Sequence, residues 1–304
     1  MSRRHWSLPG ILARGFVGLA LLGVWALMGV ASAVFWYYER PQPPAVSRVV
    51  EPGITYTRHV IEGPLPQVIH VATIDLHHPG ISWSITRPLT TEQGRPPLLA
   101  QTVEEYAKAS GAAVALNGDY FTPWHFHSPF DYYPRSGDPV DVNGFAIWGG
   151  QLYASTVEER PILVQMHTGE TVISSEIPAG SLLAISGYPW LVIDDQPLQE
   201  ADAPTYWLDR NPRSALGLSE DGRFLYLVAN DGRQPGYSAG LTLPELAAFL
   251  HELGAYRAFN LDGGGSTALV MGGWFGPHAV NSPVHSYIPG WQRPVANHLG
   301  VFVE

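Results

Sequence analysis

Asn260-Leu261-Asp262-Gly263-Gly264-Gly265-Ser266-Thr267 is the stretch on which the reading of the chain turns. Arg257 to Leu261 reads as a short strand, and that strand delivers Asp262 at its end. Three successive glycines open backbone conformations closed to other residues. They also let N–H groups approach a ligand closely, which makes an anion-binding concavity out of Gly263, Gly264 and Gly265. Ser266 and Thr267 add hydroxyl donors, and Asp262 is aimed into the same concavity. A plain flexible turn is the competing reading. Such a turn rarely needs three glycines between a strand-end aspartate and two hydroxyls. The stretch is not a Walker loop, because Gly-Lys-Ser/Thr is missing.

Upstream of this turn the periodicity predicts a helix. Thr242 caps it, Glu245 completes a capping box, Leu246, Phe249, Leu250 and Leu253 form its apolar stripe, and Gly254 ends it. Further back, Ala215–Leu218 and Phe224–Val228 read as a hairpin around Glu220-Asp221-Gly222-Arg223. From about Gly53 the chain reads as many short strands, among them Val68–Leu76 and Ile81–Thr86. A helix is predicted over Leu98–Ser110, stopped by Gly111. Ala112–Leu116 then reads as a buried strand leading to Asn117-Gly118-Asp119, and Thr122–Asn143 as a long loop of the kind that often carries function. The expectation is an α+β protein with one domain, a mixed sheet and two main helices.

Composition narrows the function. Of 304 residues only 14% are charged while 45% are apolar, which rules out a disordered chain. The net charge of -10 and the lack of a basic stripe argue against a nucleic-acid partner. Lys108 is the one lysine, so positive charge is carried by arginine, which suits two-pronged contacts to phosphate or carboxylate. The absence of cysteine removes disulfides, thiolate catalysis and Cys-based metal sites. Arg3, Arg4 and Arg14 precede an uncharged apolar run from Phe16 to Tyr38 that ends in Phe35-Trp36-Tyr37-Tyr38. This predicts a basic cytoplasmic tail over 1–15 and a transmembrane signal-anchor over 16–38. A Pro-rich linker over 39–50 and a catalytic domain over 51–304 follow. Ala31-Ser32-Ala33 also fits a signal-peptide cleavage site, in which case the protein is secreted; the anchor is preferred because the apolar run continues past it. Either way the domain lies outside the cytoplasm, at a cell membrane or beyond it.

Several strand ends carry polar side chains. Asn211-Pro212-Arg213-Ser214 places an arginine at the mouth of a buried strand, where it either makes a structural ion pair or grips an anion. Asp231-Gly232-Arg233 and Asn117-Gly118-Asp119 each read, taken singly, as turns. Taken together they are specific. Over Asn211 to Val270 the chain resembles the phosphodiester glycosidase family. The resemblance runs through Pro212-Arg213-Ser214-Ala215-Leu216-Gly217, Asn230-Asp231-Gly232-Arg233, Ser238-Ala239-Gly240-Leu241-Thr242 and the Asn260–Thr267 stretch. Outlying matches are Ala115-Leu116-Asn117-Gly118 with Tyr120-Phe121, Asn281-Ser282-Pro283, and Arg293-Pro294-Val295.

The resemblance implies hydrolysis of a sugar-1-phosphodiester at the anomeric carbon, giving free sugar and a phosphomonoester. Asp262 is the expected catalytic carboxylate, with Asp231 the second candidate and Asn117 placed to bind a sugar hydroxyl or orient water. Arg213, the amides of Gly263 to Gly265, Ser266, Thr267 and Arg293 are expected to bind substrate. A transferase or processing factor acting on exopolysaccharide or another envelope glycopolymer is the alternative, and a non-catalytic sugar-phosphate module is a third. Asp119 stands where the family often has a small residue. His125, His127 and Asp131 match no family motif; they could bind metal or line a sugar subsite, but a two-residue His spacing is a weak signal and the plainer reading is a surface loop packed by its aromatics. No metal ligand is assigned and no cofactor is expected, with a divalent cation left open. Trp124, Trp274 and Trp291 could stack on sugar or belong to the core.

Overall fold

The structure is a computed structural model describing residues 8–89, 98–274 and 276–304. Its α+β architecture holds an N-terminal apolar helix, two further helices and many antiparallel strands. Helix α1 spans Leu8–Glu39, so it begins within the stretch expected as a tail; Arg3 and Arg4 lie outside the described residues. Its segment Phe16–Glu39 has a mean hydropathy of 2.1 and is long and apolar enough to cross a membrane. The remainder, Gln42–Glu304, forms a separate unit.

That unit is built on an eight-stranded sheet. Its strands run in the order Val46–Glu51, Ile54–Ile61, Gln67–Asp75, Phe224–Asn230, Arg213–Leu218, Arg257–Asn260, Trp190–Ile193 and Gln196–Pro197. A five-stranded sheet takes the order His278–Ala279, Leu269–Met271, Val114–Asn117, His298–Val303, Ile81–Ile85. The mixed sheet expected from sequence is resolved into sheets whose strand ladders are antiparallel throughout. Period-2 alternation sorts the side chains between layers. Leu216 and Leu227 face the central core with Leu116, Phe259, Leu269 and Leu299. Their neighbours Ala215 and Val228 face the opposite side, against the helix Leu243–Glu252. Each such fully buried leucine contributes roughly 1.5–3 kcal/mol of transfer free energy.

Helix α2 is Val103–Ser110, shorter than the 98–110 expected. Thr102 and Glu105 form a capping box that fixes its start, and Leu98–Leu99 pair instead with Pro139–Val140. Helix α3, Leu243–Glu252, starts where expected, with Thr242 and Glu245 capping it reciprocally. The linker is also shorter than 39–50. Val46–Glu51 joins the large sheet as its edge strand, Gln42 donates to the Ile61 and Gln67 carbonyls, and Arg58 donates to that of Pro44. The expected loop Thr122–Asn143 contains a small hairpin, His125–Ser128 with Asp131–Tyr133, seated by Phe126 and Tyr132 on His285.

Candidate active site

Antiparallel pairing brings alternate strand ends to one edge of the large sheet. Arg213 pairs with Asn230, and Ala215 with Asn260, so the start of one strand lies beside the ends of its two neighbours. The polar groups found singly in the sequence therefore meet. They surround a cleft of about 310 Å³ lined by Asp262, Gly263, Gly264, Gly265, Arg213, Arg233 and Arg293, together with Tyr120, Phe121, Trp124 and Asn211.

Gly264 and Gly265 admit arginines, and Gly263 admits a backbone carbonyl. A Cβ on Gly264 would lie 3.1 Å from Nη2 of Arg233, and Gly264 also adopts a φ of +63°. A Cβ on Gly265 would lie 2.7 Å from Nη2 of Arg293, and one on Gly263 would lie 2.8 Å from the Pro212 carbonyl oxygen and 3.8 Å from Cδ of Arg213. The amide nest expected from sequence is correspondingly reduced. The Gly264 amide donates to the Pro212 carbonyl at 2.8 Å, and the Gly263 amide serves the Asp262 carboxylate. Guanidinium groups, rather than bare amides, make the cleft cationic.

Neutral groups are among the partners of each guanidinium. Arg213 donates to the backbone carbonyls of Leu241 and Asp209, at 3.3 and 2.9 Å. Arg233 donates twice to Oδ1 of Asn211, at 3.0 and 2.8 Å, and lies over the Tyr287 ring. Arg293 donates to Nδ1 of His285 at 3.3 Å and to the Ser266 hydroxyl at 3.4 Å, and lies over the ring of Trp124. Burial, and then Arg233, push the Arg213 and Arg293 groups toward deprotonation, against the opposing pull of Tyr120 and Asp262 respectively. Three crowded guanidiniums thus share the cleft wall with one carboxylate.

Asp262 is half-buried on the cleft wall. Its pKa is pushed up to about 6, first by burial and further by the buried Asp119, with Arg293, the Ser266 hydroxyl and the Gly263 amide pulling the other way. Burial, with Asp262 adding to it, raises the phenol of Tyr120, so this group stays a neutral hydrogen-bonding partner. The ring of His285 is lowered to about 4 by burial and by Arg293. Its Nδ1 therefore accepts from Arg293 as a neutral imidazole.

The structure places the remaining predicted residues behind this surface. Asn117 is 0% exposed and its amide is fully used. It donates to the Asp262 carbonyl at 2.7 Å and accepts from the Ser214 hydroxyl at 2.7 Å and the Ala268 amide at 3.2 Å. These bonds link the two sheets beside the Asp262 backbone. Asp231 is likewise 0% exposed, bound to His70 Nε2 at 3.1 Å, the Asn281 amide at 3.1 Å and the Ser282 amide at 2.7 Å. Through these bonds it anchors the turn that leads to Arg233. Ser266 is buried, bonding Asp262 and Arg293, and Thr267 is buried away from the cleft. Asp119 sits beneath Tyr120, accepting from its amide at 2.7 Å and from Arg160 at 3.3 Å. Of the three tryptophans, Trp124 lines the cleft, Trp291 packs on His285 and Tyr132, and Trp274 is exposed.

Sequence reasoning missed Arg233, Tyr120 and His285 as parts of the site. Arg233 carried one signal, an arginine directly after Asp-Gly in a chain poor in cations. As for a divalent cation, the one group of potential ligands found among the described residues is the exposed set His125, His127 and Asp131.

Residues 110–302 match the phosphodiester glycosidase family, and the chain belongs to it. Among curated relatives, the N-acetylglucosamine-1-phosphodiester alpha-N-acetylglucosaminidase of Bos taurus is 28% identical over 240 residues, covering 67% of this chain and 42% of the bovine protein. An uncharacterized SPbeta prophage-derived protein of Bacillus subtilis is 37% identical over 216 residues, covering 66% of this chain and 29% of that one. The chain thus spans less than half the length of these relatives. Among solved structures, the zebrafish N-acetylglucosamine-1-phosphodiester alpha-N-acetylglucosaminidase catalytic domain, auto-inhibited by its pro-peptide, superposes with a TM-score of 0.61 at 20% identity, covering 88% of this chain and 93% of that one. A putative exported protein of Burkholderia pseudomallei gives 0.55 at 19% identity, covering 80% and 75%. At these identities the structural likeness speaks for the fold alone.

Proposed function

We propose that this protein hydrolyses a sugar-1-phosphodiester at the anomeric carbon. The carrying observation is the grouping of one carboxylate, Asp262, with Arg213, Arg233 and Arg293 around the glycine turn. Family membership and the name of the bovine relative support the same substrate class.

The guanidiniums hold the oxygens of the phosphodiester anion by charge-assisted hydrogen bonds. Water attacks the anomeric carbon and the bond from that carbon to the phosphate oxygen breaks. Asp262, ionised above about pH 6, takes the proton from water and faces the positive charge that develops on the sugar. The phosphomonoester departs as an anion into the arginine cluster, so it needs little help from a general acid. Trp124, on the cleft wall, offers a face for the sugar ring. In this reading the domain works outside the cytoplasm, tethered by α1 or released after cleavage near Ala31-Ser32-Ala33. Support for that placement comes from the apolar helix.

The test is product analysis. The detergent-solubilised full chain is incubated with N-acetylglucosamine-1-phosphodiesters and other sugar-1-phosphodiesters. Equal release of reducing sugar and phosphomonoester is expected. Sugar appearing only on an added acceptor would identify a transferase instead, and no turnover of any phosphodiester would overturn the reading.

A further inference from the structure

The hairpin beside the cleft has two chemically different faces. Strand alternation turns Phe126 and its cross-strand partner Tyr132 inward, with ring centroids 5.9 and 5.1 Å from that of His285. His125 and His127 fall on the opposite, exposed face. Asp131, on the returning strand, sets one carboxylate oxygen 3.6 Å from Nε2 of His125 and the other 3.4 Å from Nδ1 of His127. One ligand atom from each of the three residues lies within 4.8 Å of the others.

Those distances have a specific meaning. Tetrahedral zinc with bonds of about 2.0–2.1 Å spaces its ligands about 3.3 Å apart. Each Asp131 oxygen stands at about that edge length from one imidazole nitrogen, and both separations are too long for a good hydrogen bond. Two imidazoles and one carboxylate suit zinc and its late transition-metal neighbours, whereas calcium and magnesium ask for oxygen ligands. Three protein ligands leave a fourth position for water.

We propose that His125, His127 and Asp131 bind one zinc-class divalent cation, which clamps the two strands of the hairpin together. The clamp reaches the cleft through packing. Tyr132 contacts His285, His285 accepts from Arg293, and Trp124, next to His125 in the chain, lines the cleft. Metal bound on the outer face therefore orders the wall that holds Arg293, while taking no part in bond breaking. This inference is independent of the hydrolysis reading, because metal uptake is measured without substrate.

The experiment is isothermal titration of the full chain in detergent with zinc chloride, with calcium chloride and magnesium chloride as comparison arms. One zinc per chain is expected, with calcium and magnesium silent. Each of His125→Ala and His127→Ala should weaken binding at least about 30-fold, while Asp131→His, which keeps a ligand, should stay within about 10-fold of wild type. Hydrogen exchange at Phe126, Tyr132 and His285 should slow on adding zinc to the wild type and not to His127→Ala. Wild-type protein that takes up no zinc below millimolar concentration, or alanine variants that titrate like wild type, would overturn the site. Zinc uptake without slowed exchange would overturn the clamp.

Discussion

Arg293 rests directly on Gly265: a Cβ at position 265 would lie 2.7 Å from its Nη2 and 2.9 Å from Cζ. The absence of a side chain there is what lets the guanidinium reach Ser266 and face Asp262. Gly265→Ala should displace Arg293 while leaving the sheets intact. Losing one charged hydrogen-bonding group costs about 1.5–3 kcal/mol, so kcat/KM should fall about 10- to 100-fold, chiefly through KM. Steady-state kinetics beside a circular dichroism spectrum would check this.

Asp262→Asn should remove activity and yet raise stability. The folded pKa of about 6 lies above the ordinary 3.8, chiefly because of burial. An acid whose pKa is raised by folding destabilises the fold as pH climbs through that window, with the full cost present above about 6. The variant should therefore melt higher than wild type at pH 7.5, the advantage vanishing near pH 4. Turnover should drop by about three orders of magnitude, in keeping with loss of a general base. A variant that melts lower at pH 7.5, or one that still turns over, would contradict this account.

The pH dependence of kcat/KM follows from the same group. Activity requires ionised Asp262, so the acid limb should fall near pH 6 and lose activity below it. Arg293 pulls that pKa down, and Arg293→Gln should shift the limb upward while raising KM. A limb that stays in place in the variant would separate it from Asp262.

Asp231→Ala should behave in the opposite way to Asp262→Asn. It leaves His70, Asn281 and the Ser282 amide without their buried acceptor. The expected loss is about 2–4 kcal/mol of stability, read from urea unfolding. Asn117→Ala should resemble it, because the Asp262 carbonyl and the Ser214 hydroxyl lose their partner inside the protein. Destabilisation below about 0.5 kcal/mol in either variant would point instead to direct contact with substrate.

Local features were legible from sequence. The two capping boxes, Thr102 with Glu105 and Thr242 with Glu245, are satisfied within three residues and depend on nothing else. The hairpin around Ser219 to Arg223 and the glycine turn are similarly short-range. Leu98–Leu99 was misread as helix because its partner, Pro139–Val140, lies far along the chain. Val46–Val50 reads as linker, although Val46–Glu51 pairs with Ile54–Arg58 close by, because the proline-rich residues before it mask a short edge strand.

By itself, the sequence determined that an apolar N-terminal helix precedes an α+β unit, and that a strand hands Asp262 to a triple-glycine turn. Those outcomes follow from periodicity, capping and backbone freedom, which act over a few residues. Tertiary structure alone decided which polar groups face the cleft. Asn117 and Asp231 turn inward as supports, and Arg233 and Arg293 turn toward Asp262. The physical reason is register: in antiparallel sheets the facing of a strand-end side chain is set by cross-strand partners far along the chain, such as His298 for Asn117, and no local pattern records it.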